Sequence, residues 1–141
     1  MKKFSLHSRL KEDTFFIGNL ALSQVLLMNE SRYPWVILVP QRNNIREIYE
    51  LTGAEQLELA KESGFISKKM KEYFKADKMN IAALGNVVKQ LHVHHIVRYE
   101  NDAAWPDPVW GKFSPQVYEK NKEILMIEDL RELLALNIKK L

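Results

Sequence analysis

The sequence predicts an α+β fold built on an antiparallel sheet. Three observations carry that prediction. Two runs of strand length, Leu20–Met28 and Trp35–Val39, are separated by the polar cluster Asn29-Glu30-Ser31-Arg32, which is the pattern of a hairpin. A long helical pattern with its own start signal follows, from Thr52 to about Asp77. Strand-type runs then return before a last helical stripe. That order, strands, helix, strands, helix, suits an antiparallel sheet with segregated helices better than the strict alternation of a parallel one.

Taken in order, Leu6–Asp13 predicts a short helix that hands over at Glu12-Asp13-Thr14 to Phe15-Phe16-Ile17. This region reads as a packed N-terminal cover. The run Leu20–Met28 mixes apolar residues with Ser23 and Gln24 at strand length. Trp35-Val36-Ile37-Leu38-Val39 is apolar at every position and stops at Pro40, as expected of a central strand covered on both faces. Ile45–Leu51 suggests a helical turn. Thr52-Gly53-Ala54-Glu55 is a capping box, in which the threonine hydroxyl and the glutamate carboxylate each satisfy one orphan amide. In the helix that follows, Leu57, Ala60, Phe65, Ile66, Met70 and Phe74 recur roughly at helical spacing.

Met79–Leu84 predicts another strand, and Gly85-Asn86 a turn or a close backbone approach. Gln90–Arg98 has the alternation of a strand. Two prolines and two tryptophans crowd the stretch from Trp105 to Gly111, so a stiff loop is expected there. Ser114-Pro115 has the form of an N-cap followed by a first-turn proline. It predicts a C-terminal helix running to about Leu136, with Ile127, Leu130, Leu134 and Ile138 as its apolar stripe.

The 141 residues suit one domain spanning 1–141. No run approaches the roughly 18 consecutive apolar residues of a membrane span. The basic start, Met1–Arg9, lacks the apolar run of a signal peptide. With no cysteine there is neither a disulfide nor a thiolate, and a cytoplasmic protein is expected. A net charge of +3, with lysines spread over the helices, leaves no nucleic-acid footprint. It suits anionic ligands such as phosphates.

Three of the four histidines, His92, His94 and His95, fall in one strand-like run. Successive strand residues point to opposite faces. Gln90, His92, His94 and Ile96 therefore share one face, and His95 belongs to the other, where a packed role with a hydrogen-bond partner is expected. The residues themselves leave four readings open. The histidines are polar residues on a half-exposed face. They are metal ligands, with His7, Asp102 or Asp107 as the third donor. One is a nucleophile that attacks phosphorus and carries the phosphoryl group as a phosphoramidate. Or they line a pocket that binds a nucleotide without turnover. Arg98, just past the run, stands either near phosphates or at a solvated strand end.

The stretch Gln90-Leu91-His92-Val93-His94-His95-Ile96 resembles the histidine triad (HIT) motif, His-φ-His-φ-His-φ-φ, where φ is apolar. It departs at Gln90, where the first histidine is usual, and at His95, an apolar position in the motif. Asn80, followed by Gly85-Asn86, resembles the family's phosphate-contacting loop. The turn Asn29-Glu30 before Trp35–Pro40 resembles its ribose-binding acid and the Leu-Val-Pro strand after it. Asp102–Gly111 looks like a bacterial subgroup. The resemblance covers about residues 15–111.

The resemblance implies a HIT-like fold, with an antiparallel sheet of about five strands, a long helix, a C-terminal helix and helices packed on one face. It implies a homodimer that binds a nucleotide or nucleotide conjugate. It also implies hydrolysis or nucleotidyl transfer at the α-phosphate through a covalent nucleotidyl-histidine, with no metal or cofactor. The alternative is a weakly active or inactive nucleotide-binding module. His92 maps to the nucleophile and His94 to an orienting phosphate contact. Gln90 replaces the first histidine, and its amide takes up no proton near neutral pH. Val87 stands where some members place a serine near the leaving group. Asn29, Asn80, Gly85 and Asn86 are the implied nucleotide or phosphate contacts. The loop carrying Trp105 and Trp110 covers the site, reaches a partner subunit or plugs the core.

Overall fold

A computed structural model describes residues 2–139. The elements are α1 (Ser8–Asp13), β1 (Thr14–Asn19), β2 (Ser23–Met28), β3 (Trp35–Pro40), a 3-10 turn (Ile48–Glu50), α2 (Gly53–Phe74), β4 (Lys78–Ala82), β5 (Val93–Arg98) and α3 (Glu123–Leu133). The strands form one five-stranded sheet in the order β1-β2-β3-β5-β4. Every pairing is antiparallel. The α+β expectation and the five-stranded sheet are therefore what the chain adopts.

The doubly apolar run of β3 lies at the sheet's centre, as its composition requires. On one face Val36 and Leu38 join Ile17, Val25, Leu27, Val93 and Val97. This core is closed by Leu59, Ile66 and Met70 of α2 and by Leu130 and Leu134 of the C-terminal region. On the other face Trp35, Ile37 and Val39 join Leu26 and Ile96. Among the described residues no long helix contributes to that cluster. Leu10 of α1, Val88, and Ala104 and Val109 from the loop after β5 close it instead. The thin cover leaves room for a cavity, and this is the face that carries His94.

The capping box of α2 is formed: the Glu55 amide donates to Thr52 Oγ1 at 3.2 Å and the Thr52 amide donates to Glu55 Oε1 at 2.9 Å. The buried stripe of α2 is Leu59, Glu62, Ile66 and Met70. Leu57 and Phe65, expected in the stripe, face solvent. The helix stops at Lys75, in the left-handed conformation at φ 52°.

Several expected boundaries move. β1 is a strand where only a packed cover was expected. Its alternation is broken by a bulge between Phe16 and Gly18, which hides the period-two signal. β4 runs Lys78–Ala82 rather than 79–84, and β5 begins at Val93 rather than Gln90. The last helix begins at Glu123, not at Ser114. The Gln116 amide that a first turn would leave to Ser114 goes to Glu30 Oε1 at 3.2 Å, and Ser31 N donates to Gln116 O at 2.7 Å. The Tyr118 amide donates to Asn29 Oδ1 at 2.9 Å. Residues 114–118 are thus an extended strap fastened to the turn before β3. The helix ends at Leu133 because Ala135 takes φ 49° and Asn137 bridges to Asn19, which leaves Ile138 exposed.

Candidate functional site

His94 lies on β5 opposite Ile37 of β3, and His92 immediately precedes β5. Their rings meet edge to face with centroids 5.0 Å apart. The backbone carbonyl of Gln90 lies 2.7 Å from His92 Nδ1. A carbonyl only accepts, so Nδ1 carries a proton, and the tautomer of the neutral ring leaves the lone pair on Nε2. For His94 the polarity is reversed. The Trp35 indole N–H donates to His94 Nδ1 at 3.0 Å, so the proton of the neutral ring sits on Nε2. The two neighbouring rings thus hold opposite tautomers, and both residues line one cavity. Burial lowers the His94 pKa to about 3, with the neighbouring His92 and His95 adding to the effect. His94 stays neutral through the physiological range.

The two histidines line a cavity of about 300 Å³. It is lined by Arg9, Leu10 and Asp13 of α1 with Thr14, and by Leu84 to Val88 of the loop between β4 and β5. The floor is Trp35 and Ile37, with Trp110 at the side. Trp110 packs edge-on against His94 with centroids 5.1 Å apart. Gly85 has φ 73°, a conformation that favours glycine. Having no side chain, Gly85 contributes backbone to the cavity, and Asn86 and Val87 beside it also line it. A second cavity, of about 450 Å³, adjoins the first at Leu84, Gly85 and His92 and is lined also by Arg46, Tyr49 and Gln90.

The structure brings His92, His94, Gly85, Asn86 and Trp110 together at the first cavity. Three other expected contacts lie elsewhere. Asn29 is occupied by the strap through the Tyr118 amide. The carboxamide oxygen of Asn80 accepts from Arg98 Nη1 at 2.7 Å. The Arg98 guanidinium lies over Trp105, its Cζ 5.5 Å from the ring centroid. The Gln90 amide turns away from the histidines. Its Oε1 accepts from the His7 amide and its Nε2 donates to Ser5 O, both at 2.9 Å. β5 starts three residues after Gln90, so strand alternation does not govern where that side chain points.

Arg98 is buried rather than at a solvated strand end, and it is not among the residues lining the histidine cavity. Its side chain is 1% exposed and pairs with Asp102 through Nε–Oδ2 at 2.8 Å and Nη2–Oδ1 at 3.0 Å. A further bond runs from Nη2 to Asp107 O at 2.9 Å. Tyr33 and Trp105 flank the guanidinium. This arginine fixes the loop that presents Trp110. His95 lies on the opposite sheet face, with Nε2 2.8 Å from Ser63 Oγ of α2. Burial lowers its pKa to about 4, against the Val36 and Val93 backbone, which favours protonation. Among the described residues no group of three His, Asp or Glu side chains is arranged to hold a metal ion.

Two features of the site had no direct sequence signal. Trp35 reads as core in any strand pattern, and only the β3–β5 register sets its indole beside His94. The α1 wall depends on the fold-back of the N-terminal segment. No helix of the described residues is long and apolar enough to cross a membrane.

The HIT domain model matches residues 9–101. Among solved structures, a histidine triad protein from Marinobacter aquaeolei is 51% identical, with a TM-score of 0.92 over 95% of this chain and 98% of that one. A histidine triad protein from Bradyrhizobium japonicum is 48% identical, with a TM-score of 0.90 over 94% and 99%. One from Sinorhizobium meliloti is 43% identical, with a TM-score of 0.88 over 92% and 96%. A search of curated proteins gives no match.

Proposed function

Because this chain belongs to the HIT domain family, whose members bind nucleotides, we propose that it hydrolyses or transfers the nucleotidyl group of a nucleotide conjugate at the α-phosphate. The observation that carries this reading is the tautomer of His92. With Nδ1 committed to the Gln90 carbonyl, Nε2 of the neutral ring holds the lone pair, and His92 and His94 line the same cavity. In the first step the Nε2–P bond forms and the bond from phosphorus to the leaving group breaks, its electron pair going to the leaving group. His94 Nε2–H donates to a non-bridging phosphate oxygen as negative charge grows there. In the second step water attacks phosphorus, the P–N bond breaks, Nε2 regains its lone pair and the water proton passes to solvent. The turn at Gly85-Asn86 supports the reading by bringing backbone to the same cavity.

A second reading, binding without turnover, rests on Gln90. Its carboxamide is engaged by Ser5 and His7 and supplies no proton to a leaving amine. The two readings separate by incubation with adenosine 5′-phosphoramidate and a dinucleoside polyphosphate. Release of mononucleotide by wild type, reduced at least about a hundredfold in His92→Ala, supports catalysis. Nucleotide affinity without release supports the binding module, and release unchanged in His92→Ala refutes the His92 mechanism. The proposal includes a homodimer, since among the described residues β4 pairs only with β5 and forms one of the two sheet edges. Light scattering on the full chain tests that.

A further inference from the structure

The Gln90 carboxamide makes the paired bonds of a strand residue. It accepts from the His7 amide and donates to the Ser5 carbonyl, both at 2.9 Å, so it holds the N-terminal segment as a neighbouring backbone would. A chain of hydrogen bonds then leads to the cavity. His7 is the N-cap of α1: its Nδ1 accepts from the Arg9 amide at 3.0 Å, and its carbonyl accepts from the Lys11 amide at 3.1 Å. The next residues, Arg9, Leu10 and Asp13, line the cavity holding His92 and His94. Asn43 fastens the same segment independently. Its Oδ1 accepts from Ser5 N at 3.1 Å and its Nδ2 donates to Lys3 O at 3.0 Å.

We propose that Gln90 is a positioning residue rather than a proton-handling one: it holds the segment before α1, and through it the α1 wall of the histidine cavity, in the closed arrangement that receives the nucleoside monophosphate part of the ligand. The proposal rests on the nucleotide reading above for the identity of the ligand. It separates at Gln90→His from a reading in which Gln90 only occupies the place of the family's first histidine. If the side chain stands in for a missing proton carrier, restoring a histidine raises kcat. If it is a clasp, the imidazole cannot reproduce the paired acceptor and donor, and the wall loosens.

The test uses the full chain with Gln90→Ala, Gln90→His and Asn43→Ala. Adenosine monophosphate affinity is measured by calorimetry, turnover with adenosine 5′-phosphoramidate, and amide exchange at His7, Lys11 and β5. The expected result is a Kd and KM raised about tenfold in both Gln90 variants and about threefold in Asn43→Ala, the scale of one or two lost hydrogen bonds. kcat falls by less than KM rises. Exchange accelerates at His7 and Lys11 but not in β5. A kcat raised tenfold in Gln90→His, or lowered with KM unchanged in Gln90→Ala, overturns the proposal. So does exchange at Lys11 that stays at the wild-type rate. If Gln90→Ala does not fold, Asn43→Ala and Gln90→His carry the same comparison. If wild type binds nucleotide without turning it over, the hydrolase reading fails and Kd with exchange decides the clasp. If it binds no nucleotide, the ligand in the proposal is wrong and the proposal falls with it, whatever the exchange shows.

Discussion

Replacing Asp102 by alanine removes the counter-charge of a guanidinium that has nowhere else to go. The Arg98 side chain is 1% exposed and that of Asp102 5%. The same carboxylate accepts from the amides of Tyr99 at 3.0 Å and Trp105 at 2.9 Å. Breaking a buried pair by deleting one partner costs about 3–5 kcal/mol, a third or more of the roughly 10 kcal/mol that holds a typical domain folded. With a urea slope of about 2 kcal/mol/M, the unfolding midpoint should drop by about 2 M. Replacing both partners, Arg98→Met with Asp102→Leu, removes the stranded charge and should recover much of the loss. The pH dependence gives an independent check. Burial opposes ionisation of Asp102, but the Arg98 bonds and the loop amides outweigh it and hold its pKa below the usual carboxylate range. A folded-state pKa below the unfolded one gives stability that is present above about pH 4 and lost as pH falls through that region. The difference between wild type and Asp102→Asn should therefore shrink below pH 4. A loss under about 1 kcal/mol in Asp102→Ala, or a double variant no more stable than the single, would refute the reasoning.

Three further outcomes follow from the geometry. Trp35→Phe removes the donor to His94 Nδ1 and should cost about 1–3 kcal/mol. Long-range proton–nitrogen spectra of His94 should then show its Nε2–H tautomer no longer dominant. His94 and His95 have pKa values lowered to about 3 and about 4. A lowered folded-state value means that each contributes stability above the unfolded pKa of about 6.5 and loses it as pH falls. Urea midpoints should decline steadily from pH 6.5 towards pH 4, and less steeply in His95→Leu. Ser63→Ala leaves His95 Nε2 without its hydroxyl partner and should cost about 1–3 kcal/mol. Because Ser63 lies on the far side of the sheet, nucleotide affinity by calorimetry should stay within about twofold; a larger change would mean the two faces are coupled.

The parts of the fold legible in the sequence are those specified locally. The apolar run of β3 and the Thr52–Glu55 box depend on near neighbours, and both formed as read. β1 was hidden because the bulge at Phe16–Gly18 breaks the alternation a strand is recognised by. The start of the last helix was misplaced because Glu30, more than eighty residues away, captures the Gln116 amide. The site divides the same way. His95 separates from His94 by simple alternation. The reach of Gln90 to His7, the Trp35–His94 bond and the Arg98–Asp102 pair need the folded chain. In each case a side chain with several hydrogen-bond choices selected one that no window of sequence contains.

The N-terminal clasp and the strap at residues 114–118 have a consequence for the order in which the molecule assembles. The clasp spans sequence separations of 83 and 85 residues, and the strap's bonds to Asn29 and Glu30 span 89 and 86. Closing loops of that length is slow compared with forming a hairpin. During synthesis the β1–β2–β3 meander can form early, whereas the clasp must wait for Gln90 and the strap for Gln116. The meander should therefore gain protection first, and β5 with the cavity walls after it. A chain holding the meander alone would lack β5, the strand that carries His94, so nucleotide binding would report the final steps of folding rather than its bulk.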